Sequence, residues 1–466
     1  MMLCTGRMAA FGRWVRSPIR GGPCDLNTVL DPAFPYGEDL LQFIWAAGLF
    51  NVHGLRTTDG GAIEVLDPGR IQRNSGPDLV DARIRIQGQL WAGNVEVHAC
   101  SSEWDAHGHQ TDPAYENVIL HVVHEHDSEV RTRSGRVLPT LELHTRIDTA
   151  MVGSHQRSMN ARGFVPCSHD LGRIAPDRWS PWLERLAIER LERRSDGLLG
   201  MLRSNGGDIA TLLFIQLARA FGLKVNADPF GMLANSVPIQ VARRVADDVF
   251  RMEALLFGQA GLLQVDFVDE YPRSLQQEHR LLAGLHGLRP APMASWKFGR
   301  MRPVNFPTIR IAQLAQVLVR IRGDLLDLLT GASIGDLRTL LDVIVSDYWM
   351  DHFTFDRPAE PIRKRLGRSG VDHIIINAIV PVLYTMGRFH GERRPVDRAM
   401  ELLGSLPAEG NSVLASWASL GVKAGNATCG QALLELKDRY CSKRRCLNCA
   451  IGNHLLGTRV SVIGSC

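Results

Sequence analysis

The spacing of hydrophobic and polar residues changes several times along the first 150 residues. Apolar residues recur at helical spacing over 38–50 and then alternate in short runs separated by turn residues. Strands are therefore predicted at 62–66, 82–86, 90–99, 117–123 and 137–144, with a tight turn at 87–89 and a short helix over 101–107. This order of elements predicts a small α/β domain over residues 37–150.

After Pro176 the apolar positions follow helical spacing almost throughout, with Arg and Glu between them. Helices are predicted within 208–222, 239–257, 274–286, 309–331, 335–348, 372–385 and 395–403. The expected fold class is α+β, in which the small α/β domain is followed by a larger, mostly α-helical region over 170–466. Residues 1–36 are irregular and rich in Gly and Pro, and we expect a disordered extension or a start codon placed too far upstream.

The composition narrows the class of protein. Hydrophobic residues make up 45% and charged residues 22%, as in ordinary soluble globular proteins, and no apolar run is long enough to predict a membrane span. The net charge of +4 is too small to indicate nucleic-acid binding by itself. Nine unevenly placed cysteines argue against a disulfide framework, so we expect a reduced, cytoplasmic setting. The oligomeric state is left open.

Two acids form the candidate metal site. Asp78 follows Pro77 at the start of the second predicted strand, whereas Glu96 and His98 lie on one face of the third, because side chains two apart in a strand point the same way. If the two strands pair, Asp78 comes beside Glu96. Two carboxylates on one face suit Mg²⁺ or Mn²⁺, which lowers the pKa of bound water and stabilises charge on a phosphate oxygen.

Histidine is unusually dense in the same region, where residues 98–126 contain six of the sixteen histidines of the chain. A Zn²⁺ site of imidazole and carboxylate is therefore an alternative to Mg²⁺. His121, His124 and His126 are interpreted as a buried strand residue and a solvated strand end. His98 is interpreted as functional, because it shares a face with Glu96.

This arrangement resembles the PD-(D/E)XK nuclease superfamily, whose core is a helix, a three-strand meander, a helix and a strand. Pro77-Asp78 matches the first half of the motif, and Glu96-Val97-His98 matches the second, with His98 in place of the lysine that positions or activates water. The resemblance implies a further acid from the first helix or strand, for which Glu64 is preferred to Glu38. Asp81 is a weaker alternative to Asp78.

A resemblance covering nearly the whole chain is to a bacterial family known as domain of unknown function 2851. This resemblance implies no reaction. It is carried by NSGPD at 74–78, WAGNVEVH at 91–98, SSEWDAHGH at 101–109, YENVILHVV at 115–123, WKFGRMRPVNFP at 296–307 and CLNCAIGNHL at 446–455.

Cys441, Cys446 and Cys449 form a C-x₄-C-x₂-C motif. Three closely spaced thiolates need charge compensation, which Zn²⁺ or an iron–sulfur cluster supplies, so a fourth ligand is expected. Cys167 is the preferred fourth ligand, which would join the N-terminal domain to the C-terminal end. The alternatives are His454, Cys429 and Cys466. Ordinary buried or free thiols are the competing interpretation.

Lys297, Arg300 and Arg302 stand among aromatic residues in the segment 296–307. Basic residues interleaved with aromatics suit a nucleic-acid surface, whereas the same composition suits a loop packed between helices.

The sequence thus favours a metal-dependent, nuclease-like phosphodiesterase, a hydrolase acting on DNA or RNA, in which Asp78, Glu96, His98 and Glu64 form the catalytic site. The first alternative is a non-catalytic nucleic-acid-binding or scaffold protein that retains the fold. The second is a zinc-dependent hydrolase that uses the histidines.

Overall fold

The structure is a computed structural model that describes residues 37–72, 76–290, 296–322, 324–329 and 333–457. The predicted extension at 1–36 and Cys466 lie outside these residues. The chain divides into two compact units. Unit 1 is Met1–Arg157 with Asn453–Cys466, and unit 2 is Ser158–Gly452.

Unit 1 is built on one mixed sheet beside the helix α1, Glu38–Ala46. The strands of the sheet are β1 (Ile63–Asp67), β2 (Arg70–Ile71), β3 (Leu79–Ile86), β4 (Gln89–Cys100), β5 (Val118–Glu125) and β6 (Thr140–Glu142). Strand order is β1-β3-β4-β5-β6, and β2 pairs with β3. The β1-β3-β4 part is an antiparallel meander, whereas β5 runs parallel to β4 and β6 runs parallel to β5.

The predicted hairpin at 87–89 is present. Gln87 and Gly88 both have positive φ, at 52° and 83°, which is the backbone that a two-residue hairpin turn requires. Between β4 and β5, the short helix α2 (Glu103–Ala106) reverses the chain and makes the parallel pairing possible. The first predicted helix, all five predicted strands and the short helix therefore have counterparts in unit 1, while β2 was not predicted.

The core of unit 1 lies between the inner face of α1 and the sheet. Leu41 and Ile44 on α1 are fully buried, as are Val95 and Val97 on β4. Continuous burial over Val95–His98 of β4 and Val118–Val123 of β5 is typical of strand segments that are covered on both faces. The sheet is therefore rigid where the polar side chains of the candidate site emerge from it.

Unit 2 is mainly helical and has its own core. A small hairpin, β7 (His352–Thr354) and β8 (Arg357–Pro358), was not predicted. The helices from the boundary onward are α3 (Thr149–Asn160), α4 (Pro176–Ser204), α5 (Ile209–Phe221), α6 (Leu223–Ser236), α7 (Ile239–Arg244), α8 (Val249–Gln259), α9 (Glu270–His286), α10 (Pro307–Arg320), α11 (Ile334–Leu341), α12 (Gly367–Ile374), α13 (Val380–His390), α14 (Arg393–Ser405), α15 (Ser412–Ser419), α16 (Ala427–Glu435) and α17 (Ala450–Gly457).

Three of the predicted helical windows are longer than the helices that form. The window 239–257 is interrupted, because Asp248 caps a new helix by accepting from the backbone N–H groups of Phe250 and Arg251. The window 309–331 stops at Arg320, and 335–348 stops at Leu341. Apolar spacing alone does not reveal such interruptions.

The helical stretch Gly367–His390 is long and apolar enough to cross a membrane by length and composition. However, 78% of its most apolar window is buried inside the protein. The core helix of a soluble protein passes the same test, so this stretch is weak support for a membrane span.

Candidate metal centre

Strand pairing brings Asp78 and Glu96 side by side. Leu79 pairs with Val95 across β3 and β4, which sets the preceding Asp78 opposite Glu96. The backbone N–H of Asp78 donates to Glu96 Oε2 at 3.0 Å, and the N–H of Val97 donates to Asp78 Oδ2 at 3.2 Å. Each carboxylate is therefore oriented by the backbone of the neighbouring strand.

A third carboxylate, Glu38, comes from the first turn of α1. Burial, followed by the charges of Glu103, Asp78 and Glu96, raises the pKa of Glu38 to about 8. Burial and the charge of Glu96 likewise raise the pKa of Asp78 to about 7. Carboxylates that disfavour one another's charge in a half-buried site are stabilised by a nearby cation.

His98 lies on the same face of β4 as Glu96 and is 1% exposed. Its Nε2 is 3.6 Å from Glu96 Oε1 and 4.0 Å from Glu38 Oε1. Burial, with smaller effects of His121, His109 and His107, lowers the pKa of His98 to about 2. The imidazole is therefore neutral at physiological pH and does not supply the positive charge of the lysine that it replaces in the resembled motif.

His98 is also the middle of a row of three imidazoles. His98 Nδ1 is 2.8 Å from His121 Nε2, and His98 Nε2 is 3.2 Å from His107 Nδ1. His121 is fully buried on β5, as the sequence predicted, but its ring contacts the site. Since a neutral imidazole has one donor and one acceptor, the tautomers of the three rings depend on one another.

His107 and His109 come from the end of α2 and the loop that follows it. One ligand atom from each of His98, His107 and His109 lies within 4.8 Å of the others. His109 stacks on Tyr115 at 3.8 Å between ring centroids. Its buried Nε2 is 3.3 Å from Glu96 Oε1 and makes no hydrogen bond within the described chain. An imidazole nitrogen and a carboxylate oxygen that converge without a hydrogen bond suit a shared metal ion.

Two of the acids considered in the sequence are not brought into this group. Glu64 on β1 forms an ion pair with Arg85 on β3, and its side chain is 57% exposed. Asp81 forms an ion pair with Arg70 and is also exposed. The preference for Glu64 over Glu38 is therefore wrong in geometry, because the register of β1 places Glu64 opposite Arg85.

The predicted nucleic-acid residues Lys297, Arg300 and Arg302 lie in unit 2 and are exposed, and none of them forms an ion pair with the described residues. The aromatic residues beside them face inward instead. Trp296 packs on Phe230 and donates its indole N–H to the carbonyl of Ala260. Trp296 is therefore part of the packing of unit 2.

Sequence reasoning underestimated Glu38 and His109. Glu38 was ranked below Glu64, because nothing in its own neighbourhood reveals that the start of α1 faces Glu96. His109 belongs to the histidine-dense region at 98–126 but was not assigned to the acid site. The positive φ of Gly108, 80°, marks the turn that brings both imidazoles back toward the sheet.

The fold and the site define a mixed α/β protein that carries a compact group of carboxylates and imidazoles on its sheet. The chain belongs to the family described as Protein of unknown function (DUF2851), whose sequence profile matches residues 38–412. No curated protein and no solved structure matches the chain.

Proposed function

We propose that unit 1 is a metal-dependent phosphodiesterase of the nuclease type that acts on DNA or RNA. Asp78 and Glu96 are the proposed ligands of Mg²⁺ or Mn²⁺. The observation that carries the proposal is the hydrogen-bonded pairing of these two acids beside Glu38 and His98, in a site where burial and mutual repulsion raise carboxylate pKa values.

The order of elements in unit 1 supports this class of enzyme. A helix is followed by an antiparallel meander, a short helix and a strand parallel to the last strand of the meander. That is the order of the PD-(D/E)XK core. Asp78 precedes the second strand of the meander and Glu96 lies on the third, where that superfamily carries its acids.

The donor set fits a divalent cation. Glu96 Oε1 faces two imidazole nitrogens, and its other oxygen is held by the backbone of Asp78. When bound, the cation would stabilise negative charge on a phosphate oxygen and acidify water. His98, which is neutral, would orient water or a ligand through its hydrogen bonds without adding charge.

Cleavage assays on the full chain test this proposal. Labelled DNA and RNA are incubated with chelator-treated protein and added Mn²⁺, Mg²⁺ or Zn²⁺. Glu96→Ala is expected to lower the cleavage rate by about 100-fold or more, a typical cost of losing an essential group in a site. Glu64→Ala is the matched control, because it removes a strand glutamate that is paired with Arg85 outside the site, and its rate is expected to equal wild type.

Thermal melts of the same proteins separate cleavage from binding alone. A cation that binds the folded protein at a hundredfold excess over its dissociation constant adds about 3 kcal/mol to the free energy of unfolding. Mn²⁺ is expected to raise the melting temperature of wild type and not of Asp78→Ala. Stabilisation without cleavage of any substrate would replace the enzyme by a non-catalytic binding protein. Cleavage that survives Glu96→Ala would remove these acids from the mechanism.

A zinc-dependent hydrolase is the second candidate, and the closeness of His98, His107 and His109 favours it. His107 distinguishes the two candidates, because it belongs to the histidine group and makes no contact with Asp78 or Glu96 among the described residues. If zinc is the cofactor, His107→Gln abolishes zinc binding and activity together. If Mg²⁺ or Mn²⁺ is the cofactor, His107→Gln leaves the Mn²⁺ response in place.

A further inference from the structure

The four cysteines singled out in the sequence all belong to unit 2, whereas the acid site belongs to unit 1. Cys441 ends a π-helical turn, Leu436–Cys441, and Cys446 begins a single 3₁₀ turn, Cys446–Asn448. Cys449 directly precedes α17. Because Cys167 also belongs to unit 2, the four cysteines do not join the N-terminal domain to the C-terminal end, and that expectation is wrong.

Two basic side chains fasten the Cys167 segment to the C-terminal cysteines. Arg444 donates to the carbonyls of Ser158 and Ala161 at 2.9 and 2.6 Å, and Lys437 donates to the carbonyl of Phe164 at 2.7 Å. These bonds join parts of the chain more than 270 residues apart. The approach of Cys167 to the other three thiols is therefore built into the packing.

All four thiols are electrostatic neighbours. In each of the six possible pairs, ionisation of one thiol raises the pKa of the other, and burial raises the pKa of every member. Cys429 lies in the first turn of α16, where its backbone N–H donates to Asn426, and it is not a member of this set. The proposed cluster therefore consists of Cys167, Cys441, Cys446 and Cys449.

Cys449 directly precedes α17 and is the buried member of the four, at 7% exposed. Trp182 packs edge-on against Tyr440, the neighbour of Cys441, with 5.3 Å between ring centroids. Its buried indole N–H makes no hydrogen bond in the described chain. The surroundings of the cysteines therefore include a buried thiol and a buried donor that has no partner among the described residues.

Close backbone packing fixes the position of this turn. A side chain at Gly452 would collide with the carbonyl of Cys446, so the first turn of α17 lies directly on the Cys446 turn. Arg444, with φ of 52°, supplies the left-handed residue that turns the chain between Cys441 and Cys446. The spacing of the three C-terminal sulfurs is therefore set by backbone, with little freedom to adjust.

No three of the four sulfurs form a group within 4.8 Å of one another among the described residues. Four sulfurs bound to one Zn²⁺ at about 2.3 Å lie about 3.8 Å apart by tetrahedral geometry. Across the described ranges, the group of three or more ligand atoms within 4.8 Å of one another is the histidine group, and it includes none of these thiols. A [4Fe–4S] cluster places its four cysteine sulfurs on separate iron atoms and so accommodates a wider spacing.

We propose that Cys167, Cys441, Cys446 and Cys449 bind an iron–sulfur cluster that holds the start of unit 2 to its end. The cluster compensates the four thiolate charges. This proposal is independent of the proposed function, because none of these residues belongs to the acid site.

The test is cofactor analysis of the full chain, purified without oxygen. Wild type is expected to contain iron and acid-labile sulfide in equal amounts and to show broad visible absorption that is bleached by dithionite. Cys441→Ser and Cys167→Ser are expected to lose most of both elements. Cys429→Ser is the matched control, because it removes a cysteine of the same unit outside the cluster, and it is expected to retain the wild-type content.

Three results would overturn the proposal: stoichiometric zinc without iron, the absence of any metal in wild type, or equal loss of iron in Cys429→Ser and Cys441→Ser. The wild-type analysis does not depend on the folding of a variant. Variant folding is monitored by far-ultraviolet circular dichroism.

Discussion

At the scale of single residues, burial decides what an ionisable group in this protein does. His98 is surrounded by imidazoles and is almost completely buried, so its pKa is lowered and the ring is an uncharged donor or acceptor. Glu38 is less buried than His98 but lies near four other carboxylates, and its pKa is raised instead. The same site thus favours neutral histidine and protonated carboxyl groups, and a cation favours ionised carboxylates.

Glu253 provides the clearest dependence of stability on pH. It is fully buried in α8 and accepts hydrogen bonds from Tyr271, Trp349 and Ser346. Burial nevertheless raises its pKa from 4.5 to about 7. The folded protein therefore keeps a proton that the unfolded chain releases at lower pH. Its contribution to the free energy of unfolding is present below about pH 4.5 and is lost as pH rises through about 7.

We expect Glu253→Gln to remove this dependence. The amide oxygen accepts from Tyr271 and Trp349, and the amide N–H₂ donates to Ser346. Because a shift of this size corresponds to about 3 kcal/mol, the stability of the variant relative to wild type should increase by up to that amount from about pH 5 to about pH 8. Urea denaturation at the two pH values measures the difference.

The control is Glu360→Gln, which changes an exposed glutamate in the same unit. Its stability relative to wild type should be the same at both pH values. An equally constant difference for Glu253→Gln would show that Glu253 ionises in the folded protein as it does in the unfolded chain.

At the scale of elements, unit 1 was more predictable than unit 2. Its strand β3 alternates in burial, and β3 and β4 meet at turn residues such as Gly88, so local sequence carries their bounds. In unit 2 the apolar pattern continues through interruptions such as that before Val249, because residues on both sides face the same core. The helix α6 was missed because its only signals, Gly222 and the internal Pro229, read as breaks.

The candidate site was predictable only where local sequence determines which residues come together. Asp78 and Glu96 were paired correctly because neighbouring strands of a meander are also neighbours in sequence. Glu38 depends on how α1 lies over the sheet, and His109 depends on a loop, so neither position follows from local patterns. Strand register, which excludes Glu64, is equally a property of the folded sheet.

Gly93 on β4 tests how closely the parallel strands pack. A methyl group there would lie 2.6 Å from the carbonyl oxygen of Asn117, at the start of the pairing with β5. We expect Gly93→Ala to lower the free energy of unfolding by about 1–3 kcal/mol, the usual cost of overpacking. Chemical denaturation of the variant measures this loss.

Gly200→Ala is the opposite case. Gly200 is exposed in α4 with open space around it, so alanine should stabilise the helix by about 0.5–1 kcal/mol. If Gly93→Ala were as stable as wild type or more stable, the close approach of β4 and β5 at Gly93 would be contradicted.

At the scale of the whole molecule, the two units have separate cores. Leu120 is fully buried in the sheet of unit 1, whereas Phe214 is buried among the helices of unit 2. We expect calorimetry of the full chain to resolve two transitions, because separate cores allow separate unfolding. Leu120→Ala should lower one transition and Phe214→Ala the other, each by the effect of about 2–5 kcal/mol that such cavities have.

A leucine-to-alanine substitution at an exposed position is the control for the calorimetry. Leu285→Ala removes a leucine that is 73% exposed on α9 and should move neither transition. A single transition that shifts equally with Leu120→Ala and Phe214→Ala would mean that the whole chain unfolds as one cooperative block.

Unit 1 is assembled from two segments, Met1–Arg157 and Asn453–Cys466, and this governs how it can be isolated. The second segment includes Gly457, whose position is within van der Waals reach of Leu49. A gene fragment that stops near residue 157 would omit the last turn of α17 and uncover that side chain. An excised version needs the two segments joined by a designed linker, with the intervening helices removed as an insert.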